Sequence, residues 1–117
     1  MGHLTTHVLD TAQGRPAAAL RVRLLRRDGD VFVALCDDVT NADGRCARPL
    51  LEGPTMRAGR YRLVFDAGGY FRAAGMALPD PPFLEEVTLD FGIADVDARY
   101  HVPLLLSPWS YSTYRGS

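Results

Sequence analysis

The sequence contains no lysine, because all thirteen of its basic side chains are arginine. A chain without lysine cannot carry out Schiff-base chemistry or form the phosphate-binding loop that depends on a lysine. An excess of one charge is also missing, since thirteen basic residues stand against fourteen acidic ones, with a net charge of −1. A protein that binds nucleic-acid phosphates needs a strong positive excess on one face, so this balance argues against nucleic acid as a partner.

Long hydrophobic runs and cysteines are scarce as well. The longest uncharged run covers residues 102–114 and contains two prolines, whereas a membrane-spanning helix needs about 20 apolar residues. The first residues lack the basic start and apolar run of a secretory signal. Cys36 and Cys46 have neither metal-ligand nor redox spacing, which favours two reduced structural thiols and leaves one disulfide open. We therefore expect a soluble cytoplasmic protein that has no membrane partner.

The chain length and the spacing of glycine and proline predict the fold. The 117 residues, 47% of them hydrophobic, suffice for one ordinary domain over residues 1–117. Glycine and proline interrupt the chain every eight to twelve residues, which is typical of an antiparallel β sandwich or barrel. Asp28-Gly29 predicts a hairpin, and only Gly69–Ala74 favours a helix. We therefore predict a mainly β fold, an antiparallel sandwich of seven to eight strands with one short helix. The predicted strands are His3–Asp10, Ala19–Arg27, Val31–Cys36, Arg60–Asp66, Phe83–Phe91, Arg99–Leu106 and Ser110–Arg115, with a short piece at 45–48.

Three histidines are the candidate proton carriers. His3 and His7 lie on the outward side of the first predicted strand, because alternation directs its even-numbered side chains to the core. Residues four apart in a strand are roughly 13 Å apart, too far to bind one tetrahedral ion, so with His101 they predict no metal site. An imidazole can act as a general base near neutral pH. From the pattern alone, however, a solvated His7 and a half-buried structural His101 are the more common interpretations.

Arg45 follows a tight Asp43-Gly44 turn and could present a rigid fork of donors to carbonyl oxygens. A solvated turn arginine is the ordinary interpretation of the same pattern. No serine has the flanking glycines and strand–turn–helix context of a nucleophile elbow. For a hydrolase, the residues therefore favour water activated by histidine, with arginine holding an electron-rich substrate.

The chain carries four separated motifs: Leu4-Thr5-Thr6-His7-Val8-Leu9-Asp10, Asp43-Gly44-Arg45, Gly59-Arg60-Tyr61 through Gly69-Tyr70-Phe71, and Tyr100-His101-Val102-Pro103 through Tyr114-Arg115-Gly116-Ser117. These motifs resemble the 5-hydroxyisourate hydrolases of the transthyretin-like family. They occur in the right order and with compatible spacing over essentially the whole chain. The last one includes a closing Tyr-Arg-Gly-Ser tetrapeptide, which is the signature of that family.

The resemblance implies an enzyme of urate degradation on a transthyretin-like β sandwich. Such enzymes add water to the ring amide of 5-hydroxyisourate and open it to 2-oxo-4-hydroxy-4-carboxy-5-ureidoimidazoline. The resemblance also implies that no cofactor or metal is needed, and that the site lies in a channel of a homotetramer, a dimer of dimers. Which histidine is the base stays open. The residues carried over by motif are the catalytic His7, Arg45, His101 and Ser117 and the substrate-binding Tyr114, Arg115 and Gly116.

Two other functions are compatible with parts of the sequence. A non-catalytic carrier similar to transthyretin would bind a small apolar ligand in the equivalent channel. Such a carrier would lack His7, Arg45, His101 and the closing tetrapeptide, so their presence favours the enzyme. A sandwich-type adhesion or interaction module is permitted by the composition alone. That module would be a monomer without a polar cluster at an interface.

Overall fold

The computed structural model describes residues 1–116, in which nine β strands, one α helix and one 3₁₀ turn form two packed sheets. The predicted mainly β sandwich with one short helix is therefore confirmed. The structure has more strands than the seven to eight predicted, because two of the nine have only two residues each and are too short for the sequence pattern to predict. The elements are β1 (His3–Asp10), β2 (Arg15–Pro16), β3 (Arg21–Asp28), β4 (Val31–Val39), β5 (Leu51–Glu52), the 3₁₀ turn Gly53–Thr55, β6 (Gly59–Phe65), α1 (Ala67–Ala73), β7 (Val87–Ile93), β8 (Arg99–Leu106) and β9 (Tyr111–Thr113).

The first sheet has the strand order β2-β1-β8-β9, with β5 also paired to β1, and the second has the order β4-β3-β6-β7. Strand neighbours within residues 1–116 run antiparallel except β1 and β8, which are parallel over their full length. Their register aligns Thr5 with His101 and His7 with Pro103. The outward side chains of β1 and β8 therefore share one face of the first sheet.

The core lies between the two sheets and follows the predicted alternation. Leu4 and Val8 of β1 have no exposed surface, while the odd-numbered side chains of that strand are half-buried. Burying a large apolar side chain fully stabilises the fold by roughly 1.5–3 kcal/mol. This burial therefore determines which face of β1 points outward. Other fully buried side chains are Leu20, Val22, Leu24, Leu63, Phe65, Phe71, Leu104 and Leu106.

The turn and cap signals explain two further elements. Gly29 and Asp30 join β3 to β4, with Gly29 at a φ of 62°, as a two-residue hairpin requires at its first central position. The helix α1 begins after Asp66, whose carboxylate accepts a hydrogen bond from the Gly69 N–H at 3.1 Å.

No helix within residues 1–116 has the length and hydrophobicity to cross a lipid bilayer.

The strand predicted from Phe83 to Phe91 begins later and ends later, at Val87–Ile93. The segment before Val87 packs against α1, because the Glu85 carbonyl accepts the Gly68 N–H at 2.9 Å and its carboxylate pairs with Arg72. Phe83 is 65% exposed. The final strand is also shorter than predicted and covers only Tyr111–Thr113.

Candidate active site

Two imidazoles lie on the outer face of the first sheet. His7 of β1 and His101 of β8 are both half-buried, and their ring centroids are 6.4 Å apart with a tilt of 36°. Parallel pairing of the two strands produces this arrangement, because it brings residues 96 positions apart in sequence next to each other. The spacing allows one small molecule to contact both rings.

Arg45 joins this pair through a tight turn that lies against β1. The turn places Arg45 as the antiparallel bridge partner of His7. Gly44 has a φ of 75°, and a Cβ there would overlap the carbonyl oxygen of Val8, so only glycine fits this close approach. The Gly44 carbonyl accepts the Val8 N–H at 2.8 Å, and the Asn41 side chain accepts the Arg45 N–H at 3.2 Å. The backbone of Arg45 is therefore held at the edge of the histidine pair.

The surroundings of both imidazoles favour their neutral form. Burial lowers the pKa of His7 most, and the charge of Arg45 lowers it further, while the main chain of Asp43 acts in the opposite direction. Burial, Arg45 and His7 all lower the pKa of His101. Since an unperturbed imidazole titrates near pH 6.5, both rings are neutral at pH 7. A neutral ring can accept a proton.

The C-terminal segment returns to His101. The Gly116 N–H donates to the His101 carbonyl at 2.7 Å. A Cβ on Gly116 would lie 2.9 Å from Cδ2 of the imidazole, so glycine lets the chain run close beside the ring. Ser117, the remaining predicted catalytic residue, lies outside the described residues.

Tyr114 and Arg115 lie on the other side of the sheet within one chain. The Arg115 guanidinium stacks over the Tyr100 ring at 4.3 Å and donates to the Arg99 carbonyl at 3.1 Å. Tyr100 and His101 are consecutive in β8, so their side chains point to opposite faces. Tyr114 and Arg115 instead line a cleft of about 420 Å³ bordered by β7 and β9. Their role in substrate binding stays a prediction.

Residues 1–116 contain no group of three or more His, Cys, Asp or Glu side chains that could hold a metal ion. Cys36 and Cys46 are free and half-buried. Burial raises the pKa of Cys36, and it is the main reason that the pKa of Cys46 rises to about 12. Both sulfurs are therefore thiols at neutral pH, which makes them poor nucleophiles.

Thr5 is a polar neighbour of the site that sequence reasoning did not single out. Its Oγ1 lies 2.8 Å from Nδ1 of His101. Alternation in β1 already predicts that Thr5 shares a face with His7. Its contact with His101 depends on the parallel pairing of β1 with β8, for which the sequence carries no local signal.

A family model described as HIUase/Transthyretin family matches residues 4–116. The chain belongs to this family. Among relatives, the 5-hydroxyisourate hydrolase 2 of Rhizobium meliloti is 61% identical over 116 residues, covering 99% of this chain and 97% of the relative. The 5-hydroxyisourate hydrolase of Pseudomonas aeruginosa is 55% identical over 117 residues, covering 100% of this chain and 93% of the relative.

Solved structures agree with the HIUase/Transthyretin assignment. The 5-hydroxyisourate hydrolase of Klebsiella pneumoniae has a TM-score of 0.82 at 38% identity, covering 100% of both chains. The transthyretin of Sparus aurata has a TM-score of 0.85 at 29% identity, covering 97% of this chain and 95% of that one. An (S)-allantoin synthase matches with a TM-score of 0.94 at 45% identity over 99% of this chain, which spans only 44% of that protein. The predicted transthyretin-like sandwich is therefore confirmed.

Proposed function

We propose that this protein is a 5-hydroxyisourate hydrolase whose active centre is built around His7, Arg45 and His101. The observation that carries the proposal is their convergence, because three segments far apart in sequence bring these side chains to one face of the first sheet. Full-length identity of 61% and 55% to two enzymes of that name supports the choice of substrate.

The reaction needs a proton acceptor for water and a stabiliser for the charge that develops on oxygen. A neutral imidazole removes a proton from water, and the resulting hydroxide oxygen bonds to the carbonyl carbon of the ring amide. The ring C–N bond then breaks, and the proton passes to the leaving nitrogen. The ring opens to 2-oxo-4-hydroxy-4-carboxy-5-ureidoimidazoline. The lowered pKa of both imidazoles supports this role, since each ring is neutral at pH 7.

Arg45 holds and polarises the substrate. A guanidinium presents several N–H donors in one plane, which matches the carbonyl oxygens of a purine-like ring. These donors stabilise negative charge on oxygen without a metal ion or cofactor. The position of Gly116 supports a contribution of the C-terminal residues to the active site, because the backbone lies against His101 at this point. We expect Ser117 to act with the three central residues and Gly116 to bind the substrate beside His101. We expect Tyr114 and Arg115 to bind it from a neighbouring subunit, because within one chain both lie on the other side of the sheet.

We also propose that the enzyme is a homotetramer, a dimer of dimers, in the cytoplasm. Strand β9 is the edge of the first sheet, and its Tyr111 is 43% exposed beside the cleft of about 420 Å³. Pairing this edge with a second copy would satisfy its free backbone groups. On the histidine face, Leu9 and Leu105 are paired and half-buried, which offers an apolar surface for the second interface. The two free thiols support a reducing compartment.

The decisive experiment adds the protein to freshly generated 5-hydroxyisourate and follows the decay of its ultraviolet band. Spontaneous decay without protein is the control. We expect faster decay that scales with protein concentration. Decay at the spontaneous rate together with tight binding of thyroxine, the ligand in a solved sea bream transthyretin complex, would contradict the enzyme and favour the carrier. A protein that neither accelerates the decay nor binds thyroxine would contradict both the enzyme and the carrier.

A further inference from the structure

The Thr5 hydroxyl is the hydrogen-bond partner of His101, with Oγ1 2.8 Å from Nδ1. The two residues are also direct partners in the parallel pairing of β1 with β8, so the backbone of the sheet holds both. Because Thr5 engages Nδ1, the nitrogen left for a substrate is Nε2. A hydroxyl is neutral and can donate or accept a hydrogen bond. The direction of this bond therefore decides whether Nε2 carries a proton.

The hydrogen bonds of Thr5 favour donation to His101, because Nδ1 is the only partner of the Thr5 hydroxyl within residues 1–116. Among residues 1–116, Arg45 and His7 are the charged and titratable groups that act on His101, and both lower its pKa, as burial does. His7 differs, because the main chain and carboxylate of Asp43 favour its cation, although burial and Arg45 outweigh them. A general base becomes a cation when it takes its proton. Among residues 1–116, the groups that stabilise this cation act on His7 and not on His101.

We propose that Thr5 is a positioning residue whose hydroxyl donates to Nδ1 of His101, so that His101 presents a protonated Nε2 to the substrate as a hydrogen-bond donor. This inference rests on the proposed hydrolase function. The Nε2–H group of His101 then stabilises the carbonyl oxygen that gains charge as water adds, and His101 keeps its proton throughout. His7 receives the proton from water and passes it to the leaving ring nitrogen.

Nitrogen-15 NMR of the imidazole rings tests the tautomer without any substrate. In the wild-type protein we expect a single His101 tautomer with the proton on Nε2. Thr5→Ser keeps the hydroxyl and should keep this tautomer, whereas Thr5→Val should produce a mixture. His3 serves as the internal reference because it has no contact with Thr5 among the described hydrogen bonds. A proton on Nδ1 in the wild type, or an unchanged tautomer in Thr5→Val, would overturn the proposal.

Kinetics provide the second readout. Thr5→Val should lower kcat by about tenfold with a much smaller change in KM, because the aligned donor acts mainly in the transition state. Thr5→Ser should restore kcat to within about threefold. Thr6→Val is the matched control, since Thr6 faces the core and donates to the Val102 carbonyl at 2.8 Å. That control should lower Tm while leaving kcat unchanged.

Two kinetic results would count against these proposals. Full kcat in Thr5→Val would overturn the role of Thr5. An inactive wild-type protein with the expected His101 tautomer would contradict the hydrolase function, and with it the role of His101 as a donor to the substrate.

Discussion

Replacing Arg45 by lysine and by glutamine distinguishes two effects of its guanidinium. The first is geometric, since a planar fork of donors can hold carbonyl oxygens in a fixed orientation. The second is electrostatic, since the charge of Arg45 lowers the pKa of both His7 and His101. Lysine keeps the charge and loses the fork. Glutamine loses the charge and keeps only part of the hydrogen-bonding capacity.

For Arg45→Lys we expect kcat/KM to fall by about 30-fold, which corresponds to roughly 2 kcal/mol of transition-state binding. A compact ammonium cannot reproduce two parallel N–H donors. The pH at which kcat/KM rises should stay where it is in the wild-type enzyme, because the positive charge beside both rings is retained. That rise lies below pH 6.5 in the wild type, since the pKa of each ring is lowered.

For Arg45→Gln we expect the pH dependence of kcat/KM to change. Two unit charges 4 Å apart interact by about 1 kcal/mol in bulk water and by about 4 kcal/mol at an effective dielectric constant of 20. Because Arg45 is exposed and the rings are only half-buried, the interaction with each ring is closer to the lower value, about 1 kcal/mol. Loss of a nearby cation makes protonation of each ring easier. The pKa of both rings therefore rises, and the acid limb of kcat/KM shifts to higher pH.

The measurement is kcat/KM across about pH 5–8, corrected for spontaneous decay, together with NMR titration of the three histidines in each variant. An acid limb that does not move in Arg45→Gln would refute the claim that the charge of Arg45 adds to the effect of burial in keeping the imidazoles neutral. Near-normal kcat/KM in Arg45→Lys would show that Arg45 is only a turn residue.

Four further predictions concern the other groups of the site and the assembly. His7→Asn and His101→Asn should each lower kcat by about two orders of magnitude or more, while His3→Asn should be nearly silent; an equal loss in His3→Asn would contradict the assignment of roles on β1. Prolonged treatment with EDTA should leave the rate unchanged, because arginine supplies the polarisation; loss of activity that zinc restores would show that a metal is required. Removing residues 114–117 should abolish turnover while circular dichroism of the sandwich persists, and dilution below the dissociation constant should lower specific activity. Light scattering measured beside turnover checks the assembly, since a fully active monomer would be the contrary result.

Local patterns were sufficient for most of the fold. Alternation in His3–Asp10 predicted both the bounds of β1 and its outward side, because a strand has a side-chain period of two and one face must be buried. Asp28-Gly29 located the β3–β4 hairpin because a two-residue turn needs a residue that tolerates positive φ. The strand predicted from Phe83 was wrong at both ends. Contacts of Glu85 with α1 replace strand pairing before Val87, and pairing with β6 continues past Phe91 to Ile93.

The candidate site was predicted only in part. Motif resemblance selected His7, Arg45 and His101, but not the contacts that join them. Thr5 was missed because its partner lies 96 residues away in sequence.

Residue types, strand periodicity and turns are local properties, and the order of amino acids reveals them directly. The parallel pairing of β1 with β8 is not local, because it depends on how two whole sheets pack around one core. That pairing places Thr5 against His101 and His7 within 6.4 Å of the same ring. The approach of Arg45 likewise requires Gly44 to lie against the backbone of Val8. The tertiary structure therefore decided the geometry of the site, since distances between residues remote in sequence are set by packing of the core.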